Sequence, residues 1–186
     1  MKTIIGLTGR RRAGKDTFAA SCINLLGPDK SQRLAFADAL KHQAAFALSS
    51  AEGFPVEFFI NEFNDAETKE AYRPFLQWYG TEFVRKILNR PNRWIDTLRN
   101  QILESNSEYI LITDVRSLAE VTMLKEFGAT IIRLTRAQSI YENKGVDLHE
   151  TERAADELPA DISFTCANPM QILEVAMSFV KSLKKG

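Results

Sequence analysis

The run Gly9-Arg10-Arg11-Arg12-Ala13-Gly14-Lys15-Asp16-Thr17 decides the fold. Before it stands Thr3-Ile4-Ile5-Gly6-Leu7-Thr8, a short apolar stretch that reads as a buried parallel strand. After it comes Phe18-Ala19-Ala20-Ser21-Cys22-Ile23-Asn24-Leu25-Leu26, which reads as a helix. Strand, glycine loop and helix, in that order, are the setting a phosphate-binding P-loop requires. Gly9 and Gly14 permit the tight backbone path that turns consecutive N–H groups toward one anion. The helix N-terminus adds partial positive charge, and Lys15 adds a full one. A plain glycine turn with a solvated Lys15 is the bland alternative. It leaves three arginines in such a loop without a reason. One residue departs from the usual pattern: Asp16 stands where Ser or Thr normally follows the lysine.

Outward from this loop the chain alternates strands with helices. Gln32–Phe36 reads as a short second strand, and Asp38 as the N-cap of a helix reaching Phe46. Residues 50–70 are acidic and irregular, with phenylalanines that pack one or two short helices. Pro74 suits the first turn of a longer helix through Gln77, Phe83 and Ile87, which Pro91 breaks. Asn92 suits the cap of a further helix to about Glu104. Tyr109–Thr113 is a strongly buried strand with Asp114 at its carboxyl end. A helix over Leu118–Phe127 ends at Gly128. Thr130–Thr135 and Ile162–Thr165 are further strands, and Pro169 opens a C-terminal helix. This alternation predicts an α/β, three-layer P-loop fold on a parallel sheet. Residues 1–186 form a single domain, with a helical insert at about 38–105 and a mobile polar lid at about 137–158. Ligands in such sheets sit beyond the carboxyl ends of the strands. The P-loop, Asp114 and Arg136 all fall there.

Bulk properties narrow the class. The chain has 186 residues, which suits one domain with a substantial core. Lys plus Arg equals Asp plus Glu, 24 each, so no basic excess points to a nucleic-acid partner, although a local basic cleft stays open. No apolar run approaches membrane-spanning length and no signal-peptide profile opens the chain, so the expectation is no membrane and a cytoplasmic location, the host cytoplasm if phage-encoded. Cys22 and Cys166 read as reduced, buried thiols. A homodimer is left open.

Phosphoryl transfer needs a cradle for the donor, cations for the developing charge, and an aligned acceptor. The P-loop is the cradle. Arg12, Arg116, Arg133 and Arg136 are candidate cations beside Mg²⁺, and Arg136 begins the lid segment. For Arg133, inside a strand, a structural role competes. Asp114 follows its strand as Walker-type carboxylates do. It suits Mg²⁺ through water, substrate binding, or a helix cap. Lys41, Arg73 and Arg85 suit an anionic acceptor. Gln77, Tyr79 and Trp94 suit a planar ring, with core packing as the alternative for both aromatics. His42 and His149 are the only histidines, and the Asp147, His149, Glu150 and Glu152 cluster has no zinc-ligand spacing.

Four blocks give the chain a resemblance to the phage deoxynucleoside monophosphate kinases. They are Gly9 to Thr17; Arg73-Pro74-Phe75-Leu76-Gln77-Trp78-Tyr79-Gly80-Thr81-Glu82 with Trp94 downstream; Ile112-Thr113-Asp114-Val115-Arg116 with Glu120 and Phe127–Ile132; and His149-Glu150-Thr151-Glu152 with Leu158–Asp161. The resemblance implies that ATP and a deoxynucleoside monophosphate give ADP and the diphosphate. It implies donor binding along the loop, by Gly9, Arg12, Ala13, Gly14, Lys15, Asp16 and Thr17. It implies acceptor binding by Arg11, Lys41, Arg73, Gly80, Trp94, Asp114, Arg116 and Glu120, with Gln77 from the same block. Lys15, Arg116 and a lid Arg136 would be catalytic. Asp16 then looks like a branch mark: adenylate-kinase-like loops also place Thr one position later, as Thr17 stands here. Thr17 and Asp114 would meet Mg²⁺ largely through water.

Other readings share fewer of these blocks. Animal-type phosphomevalonate kinases have a Gly-Lys-Asp loop and an Asp-x-Arg after a strand, but they bind no base. Dephospho-coenzyme A kinases share the opening Ile-Gly-Leu-Thr-Gly, and the likeness fades after the loop. A kinase of hydroxymethylated bases in DNA is a related possibility. From a different class comes an ATP-sensing module, which needs the P-loop but not Lys41, Arg73, Arg116 and Arg136 on a second anion.

Overall fold

In a computed structural model of the protein, residues 2–65, 67–137 and 156–184 are described. They fall into two compact units, one of Met1–Ala35 with Glu104–Gly186 and one of Phe36–Leu103. The lid segment expected at 137–158, with Asp147, His149, Glu150 and Glu152, lies almost wholly outside the described residues. Among the described residues no helix is long and apolar enough to cross a membrane.

The first unit is built on β1 (Thr3–Thr8), β2 (Ser31–Leu34), β3 (Tyr109–Ile112), β4 (Thr130–Arg136) and β5 (Ile162–Cys166). All pairings are parallel and the order is β2-β3-β1-β4-β5. The apolar runs read as strands because such a sheet is buried on both faces. Helices α1 (Lys15–Leu26) and α7 (Pro169–Leu183) cover one face, where Phe18, Cys22 and Phe179 pack on Ile5, Leu7, Leu111 and Ile132. Burying a side chain such as Phe18 contributes roughly 2–3 kcal/mol. The burial pushes the Cys22 thiol up to about 12, so it behaves as an inert apolar group. On the other face lies α6 (Leu118–Glu126), whose Leu124 approaches β1 so closely that a Cβ on Gly6 would meet it at 3.0 Å.

The second unit is helical: α2 (Phe36–Glu52), α3 (Val56–Asn64), α4 (Lys69–Gln77), a π-helical stretch Trp78–Ile87 and most of α5 (Arg93–Glu104). Phe59 and Phe63 of α3 pack on Ala44 and Ala45 of α2, as their spacing suggests, while Phe54 and Phe58 stay exposed.

Three expectations are corrected here. The second strand stops at Leu34, and Phe36 already opens α2, so Asp38 lies in the first turn and not at the cap. Pro74 does not open a helix; it sits inside α4, where its missing N–H interrupts the hydrogen-bond ladder. The expected α-helix through Phe83 and Ile87 adopts the wider i→i+5 register, as in the bond from Leu88 N–H to the Phe83 carbonyl at 2.9 Å.

Candidate active site

The loop after β1 is shaped by three left-handed residues: Gly9 (φ 135°), Arg12 (φ 62°) and Gly14 (φ 94°). A Cβ on Gly9 would stand 2.1 Å from the Leu134 carbonyl oxygen, so β4 leaves room for hydrogen only. A turn closes from Ala13 N–H to the Arg10 carbonyl at 3.2 Å. Gly14 then starts α1, its carbonyl accepting from Phe18 N–H at 2.9 Å. A non-glycine residue held left-handed, as Arg12 is, stores strain of about 1 kcal/mol or more, a cost often found at functional loops. The ammonium of Lys15 donates to the Gly9 and Arg10 carbonyls, both at 2.8 Å, and so lies folded over the loop. Asp16, Thr17, Arg11 and Arg12 are exposed, and Ala13 is buried. This is a tight glycine loop at a helix N-terminus with one ammonium folded over it, which suits a chain of phosphates.

The sheet order places β1 between β3 and β4, so the segments after all three strands share one edge. Asp114 follows β3, and Val115 N–H bonds the Leu7 carbonyl at 3.1 Å, which ties that segment to β1. Arg116 is exposed. Arg136 ends β4 and is exposed. Arg133 takes the structural alternative, its Nη2 donating to the Leu158 carbonyl.

Asp114 does not cap α6. Ser117 does: its hydroxyl accepts from Glu120 N–H at 3.3 Å, and the Glu120 carboxylate accepts from Arg116 N–H at 2.6 Å and Ser117 N–H at 3.0 Å. Glu120 is buried. One carboxylate oxygen, Oε2, thus accepts from the backbone at both Arg116 and Ser117. The Ser-x-x-Glu spacing that signals such a capping box was in the sequence and went unread. Two further features had no sequence signal. Arg10 pairs with Asp156, Nη2 to Oδ2 at 2.5 Å, across 146 positions. Thr113 is buried at the end of β3, and its hydroxyl has no partner among the described residues.

In the helical unit, Trp94 is 3% exposed, packed with Ala39 and Val84, and its indole N–H reaches the Gly80 carbonyl at 3.4 Å. Gly80 faces Leu40 so closely that a Cβ would stand at 3.0 Å. The two residues expected at the acceptor are thus joined by a hydrogen bond within the helical unit. Gln77 is exposed. Arg73 is held bidentately by Glu70 at 2.9 Å, and the Lys41 ammonium donates to Asn64 Oδ1 at 2.5 Å.

Comparison with known proteins bears on these residues from another side. The family model described as deoxynucleotide monophosphate kinase matches residues 42–176. The chain belongs to that family. The match takes in the Arg73–Glu82 block, Trp94, and the segments after β3 and β4; it begins beyond the P-loop, whose assignment stands on its own residues and geometry. No curated protein matches the sequence. Among solved structures, a gluconokinase from Sinorhizobium meliloti 1021 superposes with a TM-score of 0.50 at 13% identity, over 98% of this chain and 93% of that one. Shikimate kinases also align: that of Acinetobacter baumannii at TM-score 0.47 and 12% identity (100% and 94% covered), and that of Aquifex aeolicus at 0.46 and 13% (99% and 99%). At such identities the gluconokinase likeness speaks for the fold alone, the α/β fold of P-loop kinases. Membership of the family makes the protein a kinase of the nucleotide and small-molecule class, a phosphotransferase.

Proposed function

We propose that the protein transfers the γ-phosphoryl group of ATP to a deoxynucleoside monophosphate, giving ADP and the deoxynucleoside diphosphate. The observation that carries this reading is the anion cradle of Gly9, Arg12, Gly14 and Lys15 on a chain whose residues 42–176 match a deoxynucleotide monophosphate kinase.

In this reading the loop N–H groups hold the donor phosphates, and Lys15 swings from its two carbonyl partners to the β- and γ-phosphates. An oxygen of the acceptor's phosphate attacks the γ-phosphorus, and the bond to the β–γ bridging oxygen breaks. Arg116 and Arg136, at the same sheet edge, take up charge on the transferring group. Arg11, Lys41 and Arg73 hold the acceptor, Gln77 contacts it, and Glu120 keeps Arg116 in place from behind. Trp94 and Gly80 shape the helical unit from within.

Mg²⁺ suits hydroxyl, carboxylate and water oxygens, and it usually needs only one or two of them from the protein. Among the described residues no three His, Cys, Asp or Glu side chains gather on one point. Thr17 and Asp114 would hold the ion together with water and phosphate oxygens. When bound, Mg²⁺ neutralises phosphate charge.

The test is ADP release over dAMP, dGMP, dCMP, dTMP, modified deoxynucleotides and phosphomevalonate, with Lys15→Ala alongside. Turnover of at least one deoxynucleotide is expected. Lys15→Ala should lower it by about two to three orders of magnitude or more, as loss of a transition-state donor does. Its melting temperature should barely move, since Lys15 serves the loop and not the core. Silence on every nucleotide, or full turnover by the variant, sinks the reading.

A further inference from the structure

Among the described residues the buried polar side chains are Thr8, Thr113 and Glu120. Glu120 is taken up by the cap of α6. Thr113 is different. Its backbone N–H donates to the Leu34 carbonyl at 3.2 Å, but its hydroxyl is closed off from water and meets no donor or acceptor among the described residues. The residue is 3% exposed. A buried hydroxyl without a partner destabilises a fold, because it has lost its water and gained nothing in exchange. Nor does the strand need it. Ile110, Leu111 and Ile112 are apolar, as a strand covered on both faces requires, and valine would continue them with the same β-branched shape.

The place of Thr113 in the sheet says what its hydroxyl can serve. Side chains alternate along a strand, so Thr113 shares the face of Leu111. Leu111 packs with Leu7, Phe18 and Cys22 on the side that α1 covers. Thr113 also stands one step beyond the Gly6–Ile112 pair, beside Leu7 of β1. Two residues after Leu7 the P-loop begins at Gly9, and α1 starts at Lys15. The hydroxyl therefore lies on the face and at the edge that carry the phosphate loop. Ser31 is the contrast. Its hydroxyl is also closed off and unpartnered among the described residues, but Ser31 opens β2, at the opposite edge of the sheet.

The loop is also the neighbouring segment that a nucleotide rearranges. The Lys15 ammonium, folded onto the Gly9 and Arg10 carbonyls at 2.8 Å, has to leave them to reach phosphates. A hydroxyl offers one donor and two acceptor lone pairs. An oxygen of the phosphate chain, or a water held by the phosphates or by Mg²⁺, satisfies it. We propose that Thr113 is a positioning residue for the donor nucleotide, its hydroxyl taking from the phosphate end the partner that the protein does not supply. The orphaned hydroxyl lowers the stability of the nucleotide-free protein and raises its affinity for the nucleotide. The proposal rests on the P-loop as the donor site and deepens it, by adding a group from β3 that lies outside the loop.

Calorimetric titration of the full chain with ATP tests it, beside thermal melts without nucleotide. Thr113→Val should melt about 2–4 °C higher than wild type, the shift that removing an unsatisfied hydroxyl brings in a chain of this size. It should bind ATP about tenfold or more weakly, the value of a hydrogen bond to a charged group. Thr113→Ser keeps the hydroxyl and should keep most of the affinity. Thr113→Ala lacks the hydroxyl, should lose affinity as the valine variant does, and serves if that variant folds poorly. Ser31→Ala should bind ATP as wild type does, since its hydroxyl stands at the far edge. A loss seen equally in EDTA and in Mg²⁺ sets the hydroxyl against the phosphate chain; a loss that needs Mg²⁺ sets it against the ion's water. The proposal is overturned if wild type binds no ATP, if the valine and alanine variants bind it within about twofold of wild type, or if the serine variant loses as much as they do. Weakened ATP binding by Thr113→Val, in a protein that turns over no nucleotide, sinks the kinase reading and leaves the role of Thr113 standing.

Discussion

Glu120 holds Arg116 by its backbone: the buried carboxylate accepts the Arg116 N–H at 2.6 Å, and the Ser117 N–H at 3.0 Å. Helix capping and the placement of a candidate catalytic arginine are thus one interaction. Glu120→Ala should cost about 1–2 kcal/mol, the range of a lost cap plus an unsatisfied N–H, in urea unfolding. It should also lower kcat/KM through Arg116. Glu120→Gln retains an acceptor oxygen and should keep most of both. Equal losses in the two variants would mean that the charge of Glu120 matters directly to substrate.

The glycines of the loop should differ in tolerance. At Gly9 an added Cβ would meet a backbone oxygen, Leu134 O at 2.1 Å; at Gly14 it would meet Ile172 Cδ1 at 2.3 Å, the end of a flexible side chain. Gly9→Ala should therefore destabilise by about 3 kcal/mol or more, and Gly14→Ala by less. Adding Ile172→Ala should relieve Gly14→Ala beyond the sum of the single effects and do nothing for Gly9→Ala. Thermal melts of the single and double variants decide this.

Trp94 and Gly80 make a separable test of packing against recognition. Trp94→Phe removes the indole N–H from the Gly80 carbonyl and leaves a gap beside Val84. A loss of about 1–3 kcal/mol is expected. Acceptor KM values should move together across bases. A selective rise for one base would place the indole against that base.

Asp161 should make stability fall in acid. The Lys125 side-chain hydrogen bond, and then the Ile131 N–H, hold its carboxyl below the ordinary value. A lowered folded value means that its contribution is present above the unfolded carboxylate range, about 3.9, and is lost as pH falls through the folded value. Asp161→Asn should flatten that part of the pH–stability curve, by a small amount because the pair is exposed. An unchanged acid limb would show that the pair adds nothing.

What was legible and what was not divide along physical lines. The P-loop could be read because strand, glycines, lysine and helix are contiguous, and each acts through its own backbone geometry. The parallel sheet could be read because a strand buried on both faces must be apolar throughout, as Ile110, Leu111 and Ile112 are. The π register after Pro74 could not, because Phe83 and Ile87 fit an α-helical stripe equally well and only the hydrogen-bond ladder tells the two apart. Trp94 was ambiguous for a similar reason: an aromatic ring serves a core or a ligand, and its burial shows only in three dimensions.

By itself the sequence determined the strand, glycine loop and helix that open the chain, which segments form the sheet, and that Asp114, Arg116 and Arg136 stand at strand ends, since those follow from local backbone chemistry and one-dimensional order. The tertiary structure decided the partners. It gave Arg10 to Asp156, turned Glu120 back onto the backbone at Arg116, and set Arg12 left-handed. Charge and polarity are properties of a residue, but whether they are spent within the protein or kept for a ligand depends on neighbours far away in the chain.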